Sequence, residues 1–179
     1  IASQLSIRDI ERPFLVDLSR KCEETCCLAE EQDMQVVYID VVDNPAFVLR
    51  FIQRPGAHGP MHCTGIGKLL LSSKSDQELE AYIRIRKLEI YTPRTITSYS
   101  SLYEELEKIR KQGYSVDDEE TAHGVKSIAA PIRDYNSRIR YGISVAGPSS
   151  RLTPEKITAV TPYVVEAAQS ISRILGKTD

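Results

Sequence analysis

The sequence predicts an α+β domain in which helices flank an antiparallel sheet, with a further helix at the N-terminal side. Two observations carry this. Some stretches repeat apolar residues at helical spacing, while others concentrate β-branched residues in short runs. The segments also follow the order helix, three strands, three helices, three strands, helix. Strands therefore come in groups rather than alternating with helices, which argues for antiparallel pairing. A chain of 179 residues, 41% hydrophobic and 27% charged, suffices for one domain with a sizeable core.

The first helix is expected from Ser3 to about Glu24, with Leu5, Ile10, Phe14, Leu15 and Leu18 in register and Pro13 as a kink or a second start. This helix falls within residues 1–24, and the strands begin at residue 25 of the 25–179 stretch. Strands are expected over Thr25–Gln32 and Gln35–Val42, joined as a hairpin through Asp33 and Met34, with a third over Phe47–Ile52. Arg54–Pro60, with two glycines and two prolines, reads as a loop. Helices follow over Thr64–Ser72, over Asp76–Leu88 and over Ser101–Gln112. Ser75 and Glu78 make a capping box for the second, and Gly113 ends the third. Tyr114–Val116 is a short strand. Val125–Arg133 and Ile139–Val145 flank the turn residues Asp134–Ser137, a hairpin signal. Thr153 caps a last helix with Pro154 at its first position, an apolar stripe from Ile157 to Ile174, and a kink at Pro162.

The formal net charge of -2, without a basic block, argues against nucleic-acid binding by this chain alone. No apolar stretch is long enough to span a bilayer. Three of the four cysteines, Cys22, Cys26 and Cys27, crowd together, with Cys63 apart. That is a poor disulfide framework and points to reduced thiols in a cytoplasm. The start at Ile1 is expected of a processed form or a fragment.

Three segments can carry chemistry. The run Met61-His62-Cys63-Thr64-Gly65-Ile66-Gly67-Lys68 leaves a loop and enters a helix with Thr64 as cap. Its first amides, those of Gly65 and Ile66, suit an anion, since a helix N-terminus offers unpaired N–H groups and a favourable dipole. Alternatively, Gly65 and Gly67 only ease helix–sheet packing. In Asp117-Asp118-Glu119-Glu120, four carboxylates in a row are usually a solvated face. Asp117, nearest the strand, is the candidate to point inward. On the last two strands, alternation sets Ser127 with Ala129, and Ser144 with Ala146.

These segments, in this order, resemble the C-terminal domain of IclR-family bacterial regulators. The similarity also takes in Glu24-Thr25, Tyr91–Thr97, Gly124-Val125, Ala129-Ala130-Pro131 and Ser144–Pro148. The resemblance implies a GAF-like fold with a pocket between sheet and helices, and a small organic acid as effector. It also implies dimers or tetramers, with DNA bound only through a winged helix-turn-helix domain that would precede Ile1. It places the ligand carboxylate on the amides of Gly65 and Ile66. The acidic pocket residue falls on Asp117, a cysteine of some members on Ser127, and two strand serines on Ser144 and Ala146. The departures at Ser127 and Ala146 leave a sugar acid or an aromatic acid open beside glyoxylate or pyruvate. No cofactor and no metal are expected.

Three rivals stand beside this reading. Cys63 with His62 would make a thiol-dependent enzyme, although sequence neighbours rarely face one another as nucleophile and base. Cys22 and Cys26, four apart, would share a helix face and with Cys27 hold zinc, against the plainer reading of small apolar residues at a helix-to-strand junction. A GAF-type sensor of another signalling protein would continue into an output domain. The helix stop and polar tail at Leu175–Asp179 instead suggest an input module at the C-terminus of its parent.

Overall fold

A computed structural model of the chain describes residues 6–176. The expected helix start at Ser3 and Leu5 and the last residues of the polar tail lie outside that range. Helix α1 (Ile7–Cys22) opens with a capping box between Ser6 and Asp9 and runs unbroken through Pro13, whose ring faces solvent. It ends at Glu23, which takes a left-handed conformation. Strands β1 (Thr25–Gln32) and β2 (Gln35–Val42) follow. Asp33 and Met34 between them both have positive φ, as the tight two-residue hairpin turn requires.

The expected third strand over Phe47–Ile52 is absent. Residues 43–57 form an irregular loop, and the third strand, β3, is only His58–Gly59, inside the stretch read as a loop. The guanidinium of Arg50 explains this. It grips Asp43 and also donates to the carbonyls of Phe47 and Val48, curling the segment away from an extended path. The β-rich residues consequently point outward: Val48 is 96% exposed, Leu49 68% and Ile52 66%.

Helices α2 (Gly65–Ser72), α3 (Asp76–Arg86) and α4 (Tyr99–Gln112) come next. Ser75 and Glu78 form the capping box expected for α3, and Gly113 ends α4 in a left-handed conformation. Helix α4 starts two residues before the expected position because Ser98 is its cap. Strands β4 (Ser115–Asp118), β5 (Val125–Arg133) and β6 (Ile139–Pro148) then lead to α5 (Pro154–Ile174), capped by Thr153. Pro162 sits on the exposed side of α5, and Ala168 rather than Ala167 joins Val160, Val164 and Ile171 in the buried stripe.

All six strands pair antiparallel in the order β3-β2-β1-β6-β5-β4. This is the α+β class expected from the sequence. Each sheet face has its own apolar core. Leu15, Leu18, Ile128, Val145, Val164 and Ile171 join α1 and α5 to one face. Ile66, Leu69, Leu102, Leu106, Ala29 and Ala129 join α2 and α4 to the other. Alternation along β5 and β6 divides them: Ile128 and Val145 face α5, while Ala129 and its neighbours Ser127 and Ser144 face α2.

Candidate functional site

The α2 face is not filled throughout. Near the start of α2, between that helix, the sheet and the 43–57 loop, lies a cavity of about 160 Å³. Its floor is a grid set by strand register. Asp117 on β4 pairs with Ser127 on β5, Ser127 with Ala146 on β6, and Ala146 with Thr25 on β1. One step along, Ala129 pairs with Ser144 and Ser144 with Cys27. Small residues on adjacent strands leave the hollow that larger ones would fill.

The helix start forms the opposite wall. Thr64 caps α2 by accepting from the Gly67 amide, and its own hydroxyl donates to the Pro60 carbonyl. Among the described residues, the amides of Gly65 and Ile66 find no protein acceptor, and both residues line the cavity. The two glycines here have packing roles, the alternative that the sequence left open for them. A Cβ at Gly65 would lie 2.8 Å from Ser127 Oγ and 3.3 Å from Ala129 Cβ, so it is the close approach of helix to sheet that requires glycine. At Gly67 a Cβ would collide with the Met61 backbone and the Thr64 side chain. Gly142 serves the same contact from the sheet side, since a Cβ there would meet Ile66 Cγ2 at 2.6 Å.

Asp117 is buried at the cavity edge. Its Oδ1 accepts from the Glu120 amide at 2.8 Å, and Oδ2 lies 3.0 Å from the Thr121 hydroxyl. Burial dominates its titration and pushes the carboxyl up to about 7, against the opposing pull of that amide. Asp118 is half exposed and pairs with Arg94 and Lys126, and Glu119 makes local contacts. The expected solvated face therefore holds for Asp118.

Glu120 turns inward to a partner that the sequence reading left without a role. Lys68, on α2, is buried, and its ammonium donates to Glu120 at 2.8 Å, to Glu105 of α4 at 3.0 Å and to the Val116 carbonyl at 2.7 Å. Burial disfavours the charge, but the two carboxylates outweigh it and hold the ammonium above its ordinary value. All three of its donors are used. Lys68 thus ties α2 to α4 and to the strand that presents Asp117.

All six residues singled out from the sequence, Gly65, Ile66, Asp117, Ser127, Ser144 and Ala146, border this one cavity. Sequence reasoning missed Cys27, Tyr38, Thr121 and, from the loop, Phe51 and Gln53. Alternation on β1 and β2 limits Cys27 and Tyr38 to one of two faces, but only the position of α2 says which face carries the hollow.

The rival sites come apart. Helix α1 stops at Cys22, and Cys26 and Cys27 lie on a strand with side chains on opposite faces, so the supposed shared helix face does not exist. Among the described residues, no three His, Cys, Asp or Glu side chains gather as a metal site. His62 uses both ring nitrogens elsewhere, on the Tyr82 hydroxyl at 3.2 Å and the Glu89 carbonyl at 2.9 Å. Burial pushes the Cys63 thiol up to about 12, opposite to the lowering that a nucleophilic thiolate needs. No described helix is long and apolar enough to cross a membrane.

Comparison with known proteins places this architecture. The family model described as "Bacterial transcriptional regulator IclR C-terminal" matches residues 1–173. The HTH-type transcriptional regulator BhcR of Paracoccus denitrificans is 34% identical over 90% of this chain and 57% of its own length. The transcriptional repressor IclR of Escherichia coli K12 is 33% identical over 93% of this chain and 61% of its own. The chain thus spans about three fifths of the length of these curated relatives. The crystal structure of the Thermotoga maritima IclR superposes with a TM-score of 0.90 at 37% identity, covering 97% of this chain and 70% of that one. Sequence and fold agree over nearly all of the chain, which therefore belongs to the IclR family of bacterial transcriptional regulators, as the C-terminal domain.

Proposed function

We propose that this domain senses a small organic acid in the cavity beside α2, and that occupancy controls DNA binding by a separate winged helix-turn-helix domain of the same regulator. The observation that supports it is the pair of amides at Gly65 and Ile66, without a protein acceptor among the described residues, facing a hollow with Asp117, Ser127 and Ser144 around it. A carboxylate there gains the helix dipole and charge-assisted hydrogen bonds of roughly 1.5–3 kcal/mol each. Ala146 supplies only a methyl group. Residues 1–24 act as the signalling linker and residues 25–179 as the sensor. The regulator works in the cytoplasm as a dimer or tetramer, contacts DNA only through its other domain, and catalyses nothing. The buried Cys63, its thiol pushed up to about 12, supports that last point.

The volume narrows the ligand. An apolar cavity of about 150 Å³ holds benzene, so 160 Å³ suits about six heavy atoms. That favours two- to four-carbon oxo or hydroxy acids over sugar acids and aromatic acids. A ceiling of about 1.5 kcal/mol per heavy atom gives at most ~9 kcal/mol for such a molecule, hence affinities no tighter than about 0.3 μM. Titration calorimetry against glyoxylate, pyruvate, lactate, benzoate and gluconate tests this. Binding by one of the short acids, lost in a Gly65→Ala variant, is the expected result. A folded sample that binds none of the five overturns it.

A further inference from the structure

The cavity is covered by the 43–57 loop, fifteen residues without regular structure, from which Phe51 and Gln53 line the hollow. Irregular loops of that length in a compact domain are uncommon, and those held in place by specific contacts are usually functional rather than slack linkers. One side chain from outside the loop holds much of it. Arg151, in the turn between β6 and α5, donates through Nη1 to the Leu49 carbonyl at 2.7 Å and stacks 4.1 Å above the Phe47 ring. Its other edge forks onto the buried Glu24, at 2.6 and 2.9 Å. Glu24 in turn is seated against Gly147, where a Cβ would meet Glu24 Oε2 at 2.5 Å. Glu24-Thr25 and Gly147-Pro148, conspicuous in the sequence but not part of the ligand-binding set, are thereby accounted for. Thr25 adds a hydrogen bond to the Phe51 carbonyl. At the loop's start Asn44 donates to the Ser19 carbonyl of α1, and Ser19 donates to the Glu24 carbonyl.

We propose that Arg151 is a positioning residue: through Glu24 beneath it and Phe47 and Leu49 above, it clasps the 43–57 loop over the pocket, and release of this clasp is the step that opens the pocket to its effector. The guanidinium suits the task because it is planar, forks onto a carboxylate and stacks on a ring, whereas a lysine ammonium is a point charge. The loop's own ion pair, Arg50 with Asp43, keeps it folded as a unit, so the clasp moves a body rather than a slack chain. Through Asn44 that body also touches the end of α1, so its movement reaches the linker helix. The proposal rests on the pocket as the effector site, but its test uses no effector, and the two can fail separately.

Two cysteines of β1 provide the readout. Cys27 lines the pocket under the loop, while Cys26, next to it in sequence, faces the other core. Both are buried, and burial pushes the Cys27 thiol up to about 12. Loop opening exposes Cys27 alone; unfolding exposes both. Alkylation with iodoacetamide at pH 8, followed by peptide mapping, gives the two rates. Arg151→Lys keeps a cation beside Glu24 but loses the simultaneous contacts to Phe47 and Leu49. Phe47→Ala removes the ring and leaves the Glu24 pair intact. Both variants are expected to raise the Cys27 rate at least tenfold, with Cys26 within twofold of the unmodified sequence. Unchanged Cys27 rates in either variant, or Cys26 rising in step with Cys27, overturn the proposal.

Discussion

Glu11 lies on the inner face of α1, fully buried against Asp40 of β2. Asp40 Oδ1 accepts from Arg8, Arg12 and the Val41 amide. Both Glu11 oxygens and Asp40 Oδ2 are buried without a hydrogen-bond donor, and the two carboxyls face one another. Two ionised carboxylates have no hydrogen to share, so one proton belongs to the pair. It resides on Glu11, which burial and the bond to Asp40 push up to about 9. For Asp40, burial acts upward too, but the bonds from Glu11 and Arg12 outweigh it and keep the carboxyl low. Glu11→Gln keeps the shape and the donor and removes the titration. The sign follows from linkage. A native state that retains a proton the unfolded chain releases loses stability as pH rises. The contribution of Glu11 is whole below its ordinary value of 4.5 and declines up to about 9. At about 1.4 kcal/mol per pH unit, the unmodified domain loses on the order of 3 kcal/mol relative to the Gln variant between pH 4.5 and 7. The upward-shifted Asp117 and Glu120 affect both proteins alike and cancel in the difference. Urea unfolding followed by circular dichroism at pH 5, 7 and 8.5, at one protein concentration, measures it. The variant should be near parity at pH 5 and clearly more stable at pH 8.5. A difference that does not change with pH refutes the shared proton.

Three further outcomes are expected. Gly65→Ala drives a methyl group against Ser127 and Ala129. It should cost about 1–3 kcal/mol of stability by overpacking and weaken effector binding at least tenfold, read by thermal melting and calorimetry. Asp117 titrates near 7 beside the proposed carboxylate site, so affinity for an anionic effector should fall as pH rises from 6 to 8. The fall should approach about tenfold per unit above 7 and vanish in Asp117→Asn, which calorimetry at three pH values checks. Lys68→Met leaves Glu120 buried without its cation and frees Glu105 and the Val116 carbonyl. Breaking a buried pair on one side costs about 3–5 kcal/mol, so a large drop in melting temperature should follow, and an unchanged one would contradict the assigned network.

The amino-acid sequence by itself determined the elements whose signals are local. Ser75 with Glu78, Thr64, Thr153-Pro154 and Gly113 mark helix ends because a cap is a contact between residues three or four apart. Asp33-Met34 and Asp134–Ser137 mark hairpins for the same reason. Alternation grouped Ser127 with Ala129 on β5 and Ser144 with Ala146 on β6, and the pairing of the two strands then put both groups on one side. Tertiary structure alone decided the rest. Arg151 meets Glu24 across 127 positions and Lys68 meets Glu120 across 52, and nothing local announces either pair. Phe47–Ile52 has the composition of a strand, yet contacts from Arg50 and Arg151 hold it as a loop. Which strand face holds a hollow depends on where α2 settles, and that depends on Gly65 meeting Ser127 and Ala129 and on Gly142 meeting Ile66, contacts between distant parts of the chain. Periodicity encodes what a residue needs from its neighbours along the chain, while a cavity is defined by atoms that are absent from a place where several distant segments converge.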